Sequence, residues 1–123
     1  MRPNPVMWFE IYVQDMARAK RFYEGVLDGA LEKIGGADPE MWAFRMERNK
    51  EGAGGALVRM EGAPSGGNST LVYFGCEDCA VEEARVAAFG GKVHKPKWSI
   101  GEYGFISLIV DTEGNMVGLH SMH

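Results

Sequence analysis

Few side chains in this sequence have the chemistry to act on a small molecule. The most conspicuous is Glu10, inside Trp8-Phe9-Glu10-Ile11-Tyr12-Val13, a segment apolar enough to be a central strand. A carboxylate in such a place must be paired, hydrogen-bonded or put to use. A second candidate is Cys76-Glu77-Asp78-Cys79, a C-x-x-C at a strand-to-helix junction, where redox motifs of the thioredoxin kind also sit. A helix N-terminus lowers a thiol pKa, but Glu77 and Asp78 would repel the thiolate. Alternation puts Cys76 on the helix-packed side, so a buried structural thiol is the expectation. Of three histidines, His120 lies in the last strand, and His94 and His123 have no assigned role. There is no P-loop, no G-x-S-x-G, no dinucleotide fingerprint and no EF-hand loop.

The elements that must position these groups follow from periodicity. Phe9, Ile11 and Val13 alternate with Trp8, Glu10 and Tyr12, which predicts a strand with two unlike faces. Asp15 is placed to cap a helix whose apolar positions are Met16, Ala19, Phe22, Tyr23, Val26 and Leu27. Gly29 ends it. Further strands are expected at Ala30–Ile34, Met41–Met46 and Gly55–Met60, with a polar turn at Glu47–Gly52. Glu61–Ser69 is the best linker candidate. The pattern then restarts. A strand at Thr70–Cys76 leads to a helix capped by Asp78, with an apolar face of Val81, Ala84, Ala87, Ala88 and Phe89. Lys92–Lys95 is a short strand blocked at Pro96, Gly104–Val110 a strong one, Asp111–Asn115 a turn, and Met116–Ser121 the last strand. The order is βαβββ, linker, βαβββ, an internal repeat with modules at about residues 1–62 and 68–123.

Composition narrows the partners. The chain has 123 residues, enough for one domain with one core. The net charge of -4 comes without a basic stripe, which argues against nucleic acid. No apolar run approaches the roughly 20 residues that span a bilayer, so no membrane partner is expected. The N-terminal Met1-Arg2-Pro3-Asn4-Pro5 has no apolar leader segment, so a cytoplasmic location is expected.

The element order resembles the vicinal oxygen chelate superfamily, which includes glyoxalase I, bleomycin resistance proteins and extradiol dioxygenases. The carriers are Phe9-Glu10-Ile11-Tyr12-Val13-Gln14-Asp15 before Ala19-Lys20-Arg21-Phe22-Tyr23, then Gly90-Gly91-Lys92-Val93, then Asp111-Thr112-Glu113-Gly114-Asn115-Met116-Val117-Gly118-Leu119. The resemblance covers essentially the whole chain. It implies an α+β fold in which two βαβββ modules form a strongly curved, eight-stranded, cupped sheet with helices on the convex side. It also implies a small-molecule ligand and a homodimer.

In metal-dependent members that this chain is similar to, ligands come from the first and last strand of each module. The positions implied here are Trp8, Leu71 and Gly118, with Glu61 the nearest candidate for the fourth. Apart from Glu61, none offers the N or O donors that a divalent ion wants. The expectation is therefore no metal and no other cofactor. A nonstandard divalent site from Glu10 and His120 is the alternative, short of a third protein ligand.

If the face opposite the helices is the concave one, the cup holds Trp8, Glu10, Tyr12, Leu71, Tyr73, Met116 and His120. An aromatic pocket with a few orienting polar groups suits a small ligand. Glu10 and His120 are the candidate acid/base pair or polar anchor. The alternatives are that they only satisfy each other, or that Glu10 pairs with Arg45 or Arg59. Trp98-Ser99-Ile100-Gly101-Glu102-Tyr103-Gly104 is expected to be a lid, with glycine hinges and with Trp98 and Tyr103 as flat covers. The leading expectation is a metal-independent small-molecule binding protein for an aromatic or planar ligand. The alternative is a lyase, isomerase or dioxygenase acting on a small carbonyl or aromatic substrate.

Overall fold

The computed structural model describes residues 1–123 apart from Asn68, Asp111, Glu113 and Gly114, and apart from the side chain of Val26. The turn expected at residues 111–115 lies partly outside the described residues for that reason. The chain forms two compact units, one of Trp8–Thr70 and one of Leu71–His123 joined by Met1–Met7. The first seven residues join the second unit, where Gly75 N–H donates to the Pro5 carbonyl at 2.8 Å. Among the described residues no helix is long and apolar enough to cross a membrane.

In the Trp8–Thr70 unit the elements are β1 (Val6–Tyr12, which begins just before the unit), α1 (Met16–Leu27), β2 (Glu32–Ile34), β3 (Glu40–Ala43) and β4 (Gly54–Arg59). The strands lie side by side in the order β2, β3, β4, β1. β1 and β4 run parallel, and the other pairs are antiparallel. Val13, Met16, Leu31 and Leu57 form the buried core, with Ile11, Ala19, Tyr23, Trp42 and Phe44 packed around them. Phe9 joins that side through Phe44, ring centroids 5.5 Å apart. The predicted apolar face of β1 is thus the face that meets α1.

α1 starts where its cap dictates. The Asp15 carboxylate accepts from Arg18 N–H at 3.0 Å, satisfying a donor that the first turn leaves open. The helix ends on Asp28 in the left-handed region, φ 53°, a conformation that a short polar side chain tolerates. Two expected core positions are corrected: Phe22 is 59 % exposed and Leu27 is 62 % exposed. Phe22 lies off the stripe through Met16, Ala19 and Tyr23, and Leu27 is the last residue of the helix.

The other unit holds β5 (Thr70–Gly75, whose first residue closes the preceding unit), α2 (Cys79–Arg85), a 3-10 turn at Ala87–Phe89, β6 (Lys92–Ser99), a 3-10 turn at Gly101–Tyr103, β7 (Phe105–Val110) and β8 (Met116–Ser121). Its strand order is β5, β8, β7, β6, with β5 and β8 parallel. Asp78 caps α2 by accepting from Ala80 N–H at 2.9 Å. α2 is shorter than its sequence pattern suggests. Once the chain tightens into the 3-10 turn the α-helical period is lost, leaving Val81 48 % and Phe89 80 % exposed.

β6 also departs from expectation, because it runs through Pro96. The register slips on both sides of Lys95, and β6 is an edge strand, where a missing N–H is tolerated. Lys97 ties this edge to α2. Its backbone N–H donates to Glu83 at 2.8 Å, and its ammonium meets Asp78 at 2.8 Å.

In each unit an aromatic ring covers a glycine across the parallel pair. Phe9 stands opposite Gly55, and Tyr73 opposite Gly118. A Cβ on Gly55 would meet the Phe9 ring at 2.5 Å. Gly55→Ala should therefore destabilise the fold by about 1–3 kcal/mol through overpacking. Gly36→Ala, with nothing within 4 Å, should stay within about 0.5 kcal/mol of the parent. Urea midpoints of the two variants check this, and equal midpoints would contradict it.

Candidate functional site

The site begins with the two faces of β1. Ile11 and Val13 are committed to the core, so the pleat turns Trp8, Glu10 and Tyr12 together to the opposite face. There the carboxylate is gripped from both sides by its own strand. Trp8 Nε1–H donates to Oε2 at 3.2 Å, and Tyr12 O–H donates to Oε1 at 2.9 Å. All three residues are half-buried. Burial pushes the Glu10 carboxyl above its ordinary pKa, and the hydrogen bonds from Tyr12 and Trp8 only partly oppose this.

Neither arginine weighed as a partner is bound to Glu10. Arg45 pairs with Glu47 at 2.9 Å, and Arg59 Nε–H donates to the Gln14 carbonyl at 3.1 Å. Among the described residues Glu10 forms no ion pair. Gly54, opposite Trp8 in the ladder, leaves the space that the Trp8 ring and the Met46 thioether share.

His120, in the other unit, is fastened separately. Its Nε2 lies 2.6 Å from the Tyr103 carbonyl. A carbonyl only accepts, so Nε2–H is the donor in this contact. Leu71 and Tyr73 are buried, 6 % and 7 % exposed. Met116 is exposed at its strand end. Trp98 is a strand residue of β6, paired with Ile106 and covered by the Lys95 ammonium 3.8 Å from its ring. The two glycines read as hinges close a hydrogen-bonded turn instead. Ile100 N–H donates to the Gly104 carbonyl at 2.8 Å, and Gly104 N–H to the Gly101 carbonyl at 3.1 Å. Tyr103, on that turn, is 58 % exposed.

The positions at which the resemblance implies metal ligands can now be compared by register. Glu10 and Tyr73 each lie five residues before a capping aspartate, and they stand opposite Ala56 and Gly118 respectively. Ala56, fully buried, is therefore the first unit's counterpart of Gly118. Glu61, the nearest carboxylate by sequence, is exposed in the turn after β4. At Gly118 the space for any side chain is filled by the Tyr73 ring. At Trp8 the indole nitrogen is a donor, already spent on Glu10. Trp8, Ala56, Leu71 and Gly118 do not fit a divalent ion. Among the described residues no three or more His, Cys, Asp and Glu side chains cluster as a metal site.

The cysteines are both free thiols, with Cys79 fully buried and Cys76 half-buried. The structural thiol is thus Cys79, whose N–H donates to Ser121 Oγ at 3.0 Å. Burial, reinforced by Glu82, pushes the Cys76 thiol up to about 12, the opposite of what redox activity requires.

Two clefts went unread in the sequence. One, about 290 Å³, lies between the end of β1, the start of α1 and the strap at Ser65, Gly66 and Ser69. The other, about 900 Å³, lies where Met1, Arg2 and Pro5 return to β5 and α2. The grip on Glu10 was legible in principle. Residues two apart on a strand share a face, and both flanking residues of Glu10 carry a donor.

Paired βαβββ modules, each with its first and last strands side by side and parallel, define the class. The model for the Glyoxalase/Bleomycin resistance protein/Dioxygenase superfamily matches residues 5–119, and the chain belongs to that superfamily. No curated protein matches the sequence. Among solved structures it is similar to methylmalonyl-CoA epimerase from Mycobacterium tuberculosis, with 13% identity, 100% of this chain and 93% of that one covered, and a TM-score of 0.70. A Streptomyces coelicolor methylmalonyl-CoA epimerase variant in complex with 2-nitronate-propionyl-CoA gives 14% identity, coverage of 95% and 96%, and a TM-score of 0.67. An uncharacterised Methanosarcina mazei protein gives 11% identity, coverage of 98% and 94%, and a TM-score of 0.62. At these identities the likeness is one of fold.

The shifted carboxyl has a testable consequence. A carboxyl whose folded pKa lies above its unfolded value, roughly 4.3 for Glu, binds its proton more tightly in the folded state. That contribution is complete below the unfolded value and is lost as pH rises through the folded one. Relative to Glu10→Gln, the wild type should lose stability as pH rises from about 4, until Glu10 is fully ionised. Urea midpoints of both proteins across this range check it, and a gap that is constant or widens in favour of the wild type contradicts it.

Proposed function

We propose that this chain binds a small planar ligand on the face of β1 opposite its helix, with Glu10 as a polar anchor that needs no metal. One observation carries the reading: a half-buried carboxylate is held between the Trp8 indole and the Tyr12 phenol. Flat apolar surfaces beside one oriented polar group are what a small-ligand site requires. The absence of N or O acceptors at Trp8, Ala56, Leu71 and Gly118 supports anchoring by Glu10 itself.

Thermal shift with a panel of planar aromatic and α-keto compounds tests the proposal. A binder at 100 times its dissociation constant should add about 2.7 kcal/mol of stability. Trp8→Ala or Glu10→Gln should weaken that binder at least about tenfold, as expected for an anchor residue. Dialysis against a chelator should leave its affinity unchanged. No stabilisation by any compound, indifference to both substitutions, or loss of binding on chelation would each count against the proposal.

A second reading, an isomerase acting by proton transfer, is supported by the upward shift of the Glu10 carboxyl and by the epimerase-like fold. A carboxylate of raised pKa is the stronger general base. Under this reading methylmalonyl-CoA incubated with the protein in D₂O gains a deuteron at its α-carbon, and Glu10→Gln abolishes the gain. Absence of exchange above the protein-free rate would set this reading aside for that substrate.

A further inference from the structure

We infer that the ligand held at Glu10 presents a cation to the site, in the form of a planar amidinium, guanidinium or aromatic ammonium group. The inference rests on the proposed binding site and names the class of compound that the site selects.

The Trp8 indole has one hydrogen-bond donor and no acceptor, and that donor is committed to Oε2. The proton of the Tyr12 hydroxyl is committed to Oε1. Two donors converging on the two oxygens suit the ionised carboxylate, which only accepts. What the trio still offers is acceptor capacity: each carboxylate oxygen has a further lone pair. A ligand carboxylate or phosphate would find no free donor in the trio and a like charge at its centre. A ligand carbonyl would face the same shortage of donors.

Charge and aromatic geometry point the same way. Among the described residues Glu10 forms no ion pair, and the hydrogen bonds it accepts there come from two neutral donors. Cations elsewhere in the chain show the habit that the site invites. Lys20 stands 3.3 Å above the Trp42 ring, while the Trp42 indole donates to Glu40 at 3.2 Å. That is an indole bonded to the carboxylate two residues away along the strand, with a cation over its face. Trp8 and Glu10 repeat the indole–carboxylate half of this arrangement. The cation there comes from the ligand. A planar cation can donate to Glu10 and lie against an aromatic face at once.

The test uses the intact protein at neutral pH and three probes of nearly equal shape: benzamidinium, benzamide and benzoate. The readout is the indole N–H cross-peak of Trp8 in a ¹H–¹⁵N spectrum, assigned with Trp8→Phe. Benzamidinium should move this peak and bind at least about tenfold tighter than benzamide, with benzoate weakest. Glu10→Gln, checked for an unchanged near-ultraviolet spectrum, should bring the benzamidinium-to-benzamide ratio to within about twofold. Benzamide or benzoate binding as tightly as benzamidinium overturns the cation inference and leaves the planar-ligand site standing. So does a preference that survives Glu10→Gln. If none of the three probes moves the peak, both fall together.

Discussion

Ile11 and Val13 bury against Met16, Ala19 and Leu57, and that packing decides where Glu10 goes. A strand has two faces, so fixing the apolar residues on one sends the carboxylate to the other. The same step sends Trp8 and Tyr12 with it. Their donors reach the carboxylate because residues two apart on a pleated strand stand side by side. The contact is therefore local in its bonding but tertiary in its orientation. If the core on the α1 side gave way, nothing in the tripartite contact would hold β1 to that register. Burial raises the cost of the Glu10 charge more than the hydrogen bonds from Tyr12 and Trp8 repay.

The second organising feature is repeated in both units. A parallel pair of strands brings a ring over a residue too small to obstruct it: Phe9 over Gly55, and Tyr73 over Gly118. Of the two, Phe9 over Gly55 lies on the face that packs against α1, and only Tyr73 over Gly118 falls at a position where the resemblance implies a metal ligand. It changes the chemistry available without changing the backbone, which still matches that of epimerases along its whole length. One fold supports different sites because strand register and side-chain identity are separable.

Sequence reasoning erred where local pattern and tertiary demand diverged. Phe22 and Phe89 scored as core positions by spacing, yet both are exposed. The first lies off the buried stripe, and the second follows a helix that has already ended. Pro96 was read as a strand breaker, but an edge strand has an unpaired side on which the missing N–H costs nothing. A lone charge suggests a distant counter-charge, here an arginine or His120. The partners found are two neutral donors on the same strand.

The order βαβββ twice over, the capping roles of Asp15 and Asp78, the alternation that sets Glu10 apart from Ile11 and Val13, and the lack of metal donors at Trp8, Leu71 and Gly118 were all determined by sequence alone. Each depends on a short-range rule: a cap needs one acceptor, a strand has period two, and a ligand needs a lone pair. Only the tertiary structure decided that Ala56 stands opposite Glu10, that Tyr73 closes the space at Gly118, and that His120 donates to the Tyr103 carbonyl. Those outcomes depend on strand register and on turn closure. These pair residues far apart in the chain, and no local pattern encodes them.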